Sequence, residues 1–321
     1  MKYELFDERI LDDYILHRVR YEDGSLGGWI EGEKNLDPDS NARVSGNACI
    51  FSNACVSGNA HISGDAYVYG EARVYGNANV SGDVHILSRV HVFGNSCVYG
   101  DARVFNNAYV YGDARVYGEA NVLDSAHVYC NARISGNAIV SDNARVYGRA
   151  RVYGHARVYG NAQVSDNAFV FGNAHVFGNS CVSDSAHVFS NAYVYGDARV
   201  SDNARVSGDA RVYGNAKVSD KARILNKAHI SGNALVSGNA RVSGDDWETS
   251  PLQIQGSAYF FSVSSLIHIT VGCQTKTFQE WIATYEEEFI KNHFTEEQKT
   301  EYKLYFNLAS NLYGWGVQLP L

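Results

Sequence analysis

A six-residue register, Asn-Ala-x-Val-x-Gly with small variations, runs unbroken through residues 41–244 and fills them with 34 consecutive units. The second place is Ala except at Val84, Val90, Ser96 and Ser180, and the fourth is always Val or Ile. Strand side chains alternate between faces, so an Ala-x-Val-x stretch buries its second and fourth places and turns its third and fifth outward. The sixth place is restricted to Gly, Asp, Ser, Asn or Cys, and a polar residue nearly always follows. Gly and Asn tolerate the left-handed backbone of a sharp corner. Each unit therefore reads as one short strand and one corner. A unit this small encloses no core alone, so successive coils must stack. The chain is an all-β solenoid.

Units such as Val44-Ser-Gly-Asn-Ala48 and Ile62-Ser-Gly-Asp-Ala66 place an aliphatic residue four positions before a small one. In this they resemble the hexapeptide repeat of left-handed β-helices. That resemblance implies a left-handed triangular β-helix with three units per coil, about 11 coils, and at the usual strand spacing a stack about 50 Å long. Where the family favours Gly, Ala or an acid beside the aliphatic residue, this chain has Ser, Tyr or Phe. Three regions follow: 1–40 as a small N-terminal β-cap, 41–244 as the β-helix, and 245–321 as a C-terminal α+β domain. The cap segment Leu26-Gly-Gly-Trp-Ile-Glu31, with its Gly-Gly-Trp-aliphatic-Glu signature, resembles hexapeptide-repeat proteins of bacteriophage, prophage and enteric bacterial genomes. Some of those carry acyltransferase labels on fold alone, and fold by itself does not transfer an activity.

In the tail, 257–263 and 266–271 read as a hairpin. Thr277-Phe-Gln-Glu280 and Thr295-Glu-Glu-Gln298 open two helices with capping boxes. Phe278, Trp281, Ile282, Tyr285 and Phe289 would form one buried stripe, with Tyr302, Tyr305, Phe306 and Leu312 as its partner. Glu286, Glu287, Glu288, Glu296, Glu297 and Glu301 would make an acidic helix surface.

The net charge of −8 divides unevenly along the chain. Residues 41–244 carry 18 Lys and Arg against 14 Asp and Glu, about +4, which leaves about −12 for the two ends. Arg holds the outward third place in 13 units while acids sit at corners, so the flat faces are more basic than the total suggests. A nucleic-acid or other polyanion binder is one function class this admits. Interspersed corner acids and a pI of about 5.7 weigh against it. Six Cys without a CxxC pair, and no signal-like or membrane-length apolar run, point to a cytoplasmic protein with reduced thiols. Cys49, Cys55, Cys97 and Cys181 take the outward third place and read as surface residues. Their spacing suits no metal, and nothing in the sequence calls for a cofactor.

Sorting the units by threes assigns the outward side chains to faces. One face carries Arg43, His61, Asn79, Cys97, Arg115, Arg133, Arg151, Phe169, His187, Arg205, Arg223 and Arg241 at the third place. A second carries Phe51, Tyr69, Leu87, Phe105, Leu123, Ser141, Tyr159, Phe177, Tyr195 and Tyr213 at the fifth. The remaining face runs Tyr75, Phe93, Tyr111, Tyr129 and Tyr147, then switches to Ser165, Ser183, Ser201, Ser219 and Ser237. Aromatic ladders stabilise neighbouring strands, and contiguous Tyr and Phe flanked by Arg also mark interfaces. The candidate binding residues are Tyr75, Phe93, Tyr111, Tyr129 and Tyr147 with Arg73, Arg145, Arg115, Arg133 and Arg151.

The best-known left-handed β-helix proteins are trimeric acyltransferases with a catalytic histidine between subunits, so an acyl-coenzyme A-dependent acyltransferase is the competing class. His61, His85, His91, His127, His175, His187 and His229 all hold the outward third place, where His alternates with Arg, Tyr and Asn. Such repetition argues against a unique catalyst, and no loop interrupts the register to close over a substrate. No catalytic residue is assigned. The expected function is non-catalytic: a phage-type rod presenting aromatic and Arg ladders to a protein partner, with inhibition of a host protein as one outcome and homo-oligomerisation as a further use of the same faces. Ice binding is excluded, since no Thr occurs in 41–244.

Overall fold

A computed structural model describes residues 3–321. It divides into two compact units, residues 1–179 and 180–321.

Unit 1 opens with an antiparallel meander, Tyr3–Leu11, Tyr14–Tyr21 and Leu26–Ile30. The third strand then pairs in parallel with the first repeat strand of its sheet, Trp29 opposite Cys49 and Ile30 opposite Ile50. Leu36 bridges Val56 in the same sense. The cap thus contributes a turn that the repeat pattern does not reveal, slightly longer than a turn of the repeats. Beyond it, strands recur at every third unit on three parallel sheets, as in Cys49–Ile50 beside Tyr67–Gly70, Cys55–Val56 beside Arg73–Val74, and Arg43–Val44 beside His61–Ile62. Three six-residue units per turn is therefore the observed winding.

Each unit satisfies its backbone in a fixed way. The first-, third- and fifth-place N–H groups donate to the sixth-, second- and fourth-place carbonyls of the next turn. Asn59 does so to Gly76 (2.7 Å), Cys55 to Ala72 (2.9 Å) and Ser57 to Val74 (3.0 Å). The core is a column of buried Ala, Val and Ile side chains. Ser96 buries its hydroxyl there without a hydrogen-bond partner.

The corners explain the two polar places. Sixth-place residues from Gly46 to Gly238 adopt positive φ whether Gly or not, for example Gly64 at 73°, Asn106 at 63° and Asp142 at 56°. An Asp there accepts from the otherwise unpaired sixth-place N–H one turn on, as Asp142 does from Gly160 at 2.9 Å. First-place Asn side chains form amide ladders, Asn59 to Asn77 to Asn95 to Asp113, at 2.9–3.0 Å per rung.

The cap signature also has a steric basis. A Cβ on Gly27 would lie 2.8 Å from the Val44 carbonyl, and one on Gly28 would lie 2.6 Å from the Ala48 carbonyl, so the strand reaches the first coil only without side chains there. Trp29 packs with Leu16, Cys49 and Phe51 under the guanidinium groups of Arg9 and Arg18. Cys49 is consequently fully buried, contrary to its reading as a surface residue. Third-place outwardness ends where the cap folds over it. Burial pushes the Cys49 thiol up, opposed by Arg9, which donates to its Sγ.

Unit 2 has four strands in each of three parallel sheets, from Cys181–Val182, His187–Val188 and Tyr193–Val194 onward. Its winding ends where Trp247, set opposite Ile230 with a one-residue deletion, lies over the last turn and donates Nε1–H to the Gly244 carbonyl at 3.0 Å. The tail sheet has four antiparallel strands, Gln253–Gln255, Phe260–Ser265, His268–Val271 and Gln274–Thr277, rather than a lone hairpin. Helices α1 (Phe278–Lys291) and α2 (Glu296–Tyr313) pack beside it, each opened by the capping box its sequence announces. Phe278, Trp281, Phe289, Tyr302 and Phe306 are buried. Leu312 is not, at 61% exposed, because it falls in the last turn of α2 beyond the packed stripe. Glu288 departs from the acidic surface, being mostly buried and paired with Lys276 at 2.8 Å. No helix among the described residues is long and apolar enough to cross a membrane.

Candidate functional site: an aromatic strip on unit 1

Tyr75, Phe93, Tyr111, Tyr129 and Tyr147 occupy the outward fifth place on one sheet of unit 1. Consecutive rings stack with centroids 4.9–5.0 Å apart and planes within 8°. That spacing is the strand spacing, so the backbone sets the rings in register and offset stacking follows. Five rings in line make a strip about 20 Å long.

A second column, which sequence reasoning did not assemble, runs beside it at the third place: Arg73, His91, Tyr109, His127 and Arg145. Tyr109 is stacked between His91 (4.9 Å) and His127 (4.7 Å). The columns interlock, His91 meeting the edge of Tyr75 at 6.3 Å and His127 that of Tyr111 at 6.2 Å. Reading the third place of every third unit on this sheet would have found the column, because His and Tyr alternate in it.

The strip is apolar in the middle and cationic at its ends. Burial, reinforced by Arg73, pushes the His91 pKa down, and burial with Arg145 does the same for His127, favouring the neutral imidazole. Burial raises the hydroxyl pKa of Tyr75, Tyr111 and Tyr129. Arg73 and Arg145 are exposed at the two ends.

The remaining candidates stand elsewhere. Arg115, Arg133 and Arg151 form a column on another sheet, where Arg115 pairs with Arg133, Arg133 with Arg151, and Arg151 with Phe169. The structure thus separates the ten candidate residues into a strip with two arginines and a distinct arginine column.

The histidines are scattered over the three sheets. In unit 1 His85 Nε2 lies 3.6 Å from Asp83 Oδ1, and in unit 2 His229 Nδ1 lies 2.6 Å from Asp246 Oδ1, a pairing that sequence spacing did not single out because it depends on the deletion ending the winding. Asp246 is exposed and His229 half-buried. No group of three or more His, Cys, Asp or Glu among the described residues is set to hold a metal ion. None of the six cysteines is in a disulfide.

Comparison with known proteins bears on the repeats. Seven segments, 132–148, 150–166, 162–178, 192–208, 198–214, 204–220 and 228–244, match the family model described as YdcK Beta solenoid repeat. The chain carries β-solenoid family repeats. Each matched segment spans close to one turn, and their starting points differ by multiples of six, so the match restates the winding at any of its three sides. None of the curated proteins matches the chain.

Proposed function

We propose that this is a non-catalytic interaction protein whose unit 1 docks a protein partner on the Tyr75 to Tyr147 strip. The observation carrying this reading is that the solenoid does not need the rings. The same column holds Ser57 one turn before Tyr75 and Ser165 one turn after Tyr147. Ser57 makes the same 3.0 Å backbone bond to Val74 that Tyr75 makes to Val92. Five consecutive aromatic rungs bounded by serine are thus an addition to a fold already complete. Half-buried rings with a polar tip and terminal arginines are the side chains that dominate binding hot spots. Resemblance of the cap to phage and prophage proteins favours a host protein as the partner, and a grip on it that blocks its work.

Replacing Tyr111, Tyr129 and Tyr147 together by Ser tests this. Stacking contributes about 0.2–1 kcal/mol per neighbouring pair, so the variant folds with a slightly lower melting midpoint. Partner binding falls by at least about tenfold, read by titration calorimetry against the protein that the full chain captures from host lysate. Unchanged affinity would remove the strip from the account.

A further inference from the structure

On the sheet carrying the arginine column, the fifth place of unit 1 holds Ser45, Ser63 and Ser81 and then an aromatic ladder that is broken once. It runs Tyr99, Tyr117, Ser135, Tyr153, Phe171. Tyr99 and Tyr117 stack at 4.9 Å with planes 2° apart, and Tyr153 and Phe171 stack at 4.9 Å with planes 1° apart. Between the pairs, Ser135 supplies only a hydroxymethyl group, although its strand keeps register, with Ile134 opposite both Val116 and Val152. Tyr117 and Tyr153 therefore stand two turns apart, about 10 Å, which leaves the interval of one ring.

Beside this interval stand Arg115, Arg133 and Arg151, one per turn and all exposed. Among the described residues none of the three forms an ion pair, and neither Arg115 nor Arg133 lies over a ring, while Arg151 lies over Phe169 at 5.2 Å. Three like charges at strand spacing repel one another, and an anion over the middle one relieves all three. Guanidinium groups bind phosphate oxygens in a bidentate fork.

We propose that the interval over Ser135 binds a nucleoside monophosphate. Its base takes the place of the missing rung between Tyr117 and Tyr153, and its phosphate is held by Arg133 with a neighbouring arginine. The stacking supplies selection for a planar ring and the arginines selection for charge. This site lies on a different sheet from the Tyr75 to Tyr147 strip and stands independently of it.

Titration calorimetry with the full chain at low salt provides the test, using adenosine 5′-monophosphate, adenosine and inorganic phosphate as probes. The monophosphate gives saturable binding, and each of the other two binds at least about tenfold more weakly, since each engages only half the site. Ser135→Tyr fills the interval and weakens monophosphate binding by at least about tenfold while the chain melts no lower than the parent, because the new ring completes a ladder. Arg133→Gln, a change at an exposed side chain, gives a comparable loss. Absence of saturable binding to the parent chain, undiminished binding to either variant, or phosphate binding as tight as the monophosphate's would each overturn the site.

Discussion

The residues of this chain divide by the work of their place in the six. Gly64 stands at φ 73°, and a Cβ there would lie 2.6 Å from the Gly82 nitrogen. Gly64→Ala accordingly lowers stability by about 1–2 kcal/mol, read as a lower melting midpoint by circular dichroism. Asp142 and Asp202 accept the same positive φ because their side chains bond the next corner, so Asp is a functional alternative to Gly at this place. Outward places obey no such constraint. That freedom is why Ser, Tyr and Arg alternate there, and why a run of one type carries information.

At the scale of the element, each outward column behaves as a ladder whose rungs are coupled by the strand spacing. His91 and His127 are the imidazoles of the strip, and Tyr75, Tyr109, Tyr111, Arg73 and Arg145 are the aromatic and charged groups facing them. Both have folded-state pKa values lowered below 6.5, so the unfolded chain takes up their protons first. Their contribution to stability is present above about pH 6.5 and is lost as pH falls through the window below it. The melting midpoint should therefore drop between about pH 7 and pH 5, and drop less in the double variant His91→Phe, His127→Phe, which keeps the rings and removes the protons. Equal drops in both chains would show that protonation elsewhere dominates. Much of this element was legible in the sequence, since an unbroken register of sixes gives strand, corner and face directly, and the Tyr75 to Tyr147 run falls out of it. The His91, Tyr109, His127 column was equally present at the third place of every third unit, but its mixed types do not make the run of one residue class that marks the Tyr75 to Tyr147 strip.

For the whole molecule, the parts that sequence pattern did not resolve are those where the register stops. The cap's turn, which sets Trp29 against Cys49, is longer than a turn of the repeats, and the closing turn, which sets Ile230 against Trp247, is shorter. Neither belongs to the periodic signal although both pair with it. Burial of Cys49 under Arg9 and Trp29, and the two outer strands of the tail sheet, follow from packing between segments that no repeat relates. Filled with Ala, Val and Ile, with the hydroxyls of Ser96 and Ser180 as isolated exceptions, the interior has no converging set of polar groups to orient a ligand, and the outward ladders are the surfaces to which the proposals assign chemistry. Photocrosslinking tests this most directly. A photoreactive phenylalanine analogue is placed at Phe93, within the strip, or at Phe105, on a different sheet, and both chains are irradiated with the captured partner. An adduct from position 93 and none from position 105 is the predicted result; an adduct from 105 alone, or equal yields from both, would contradict docking on the strip.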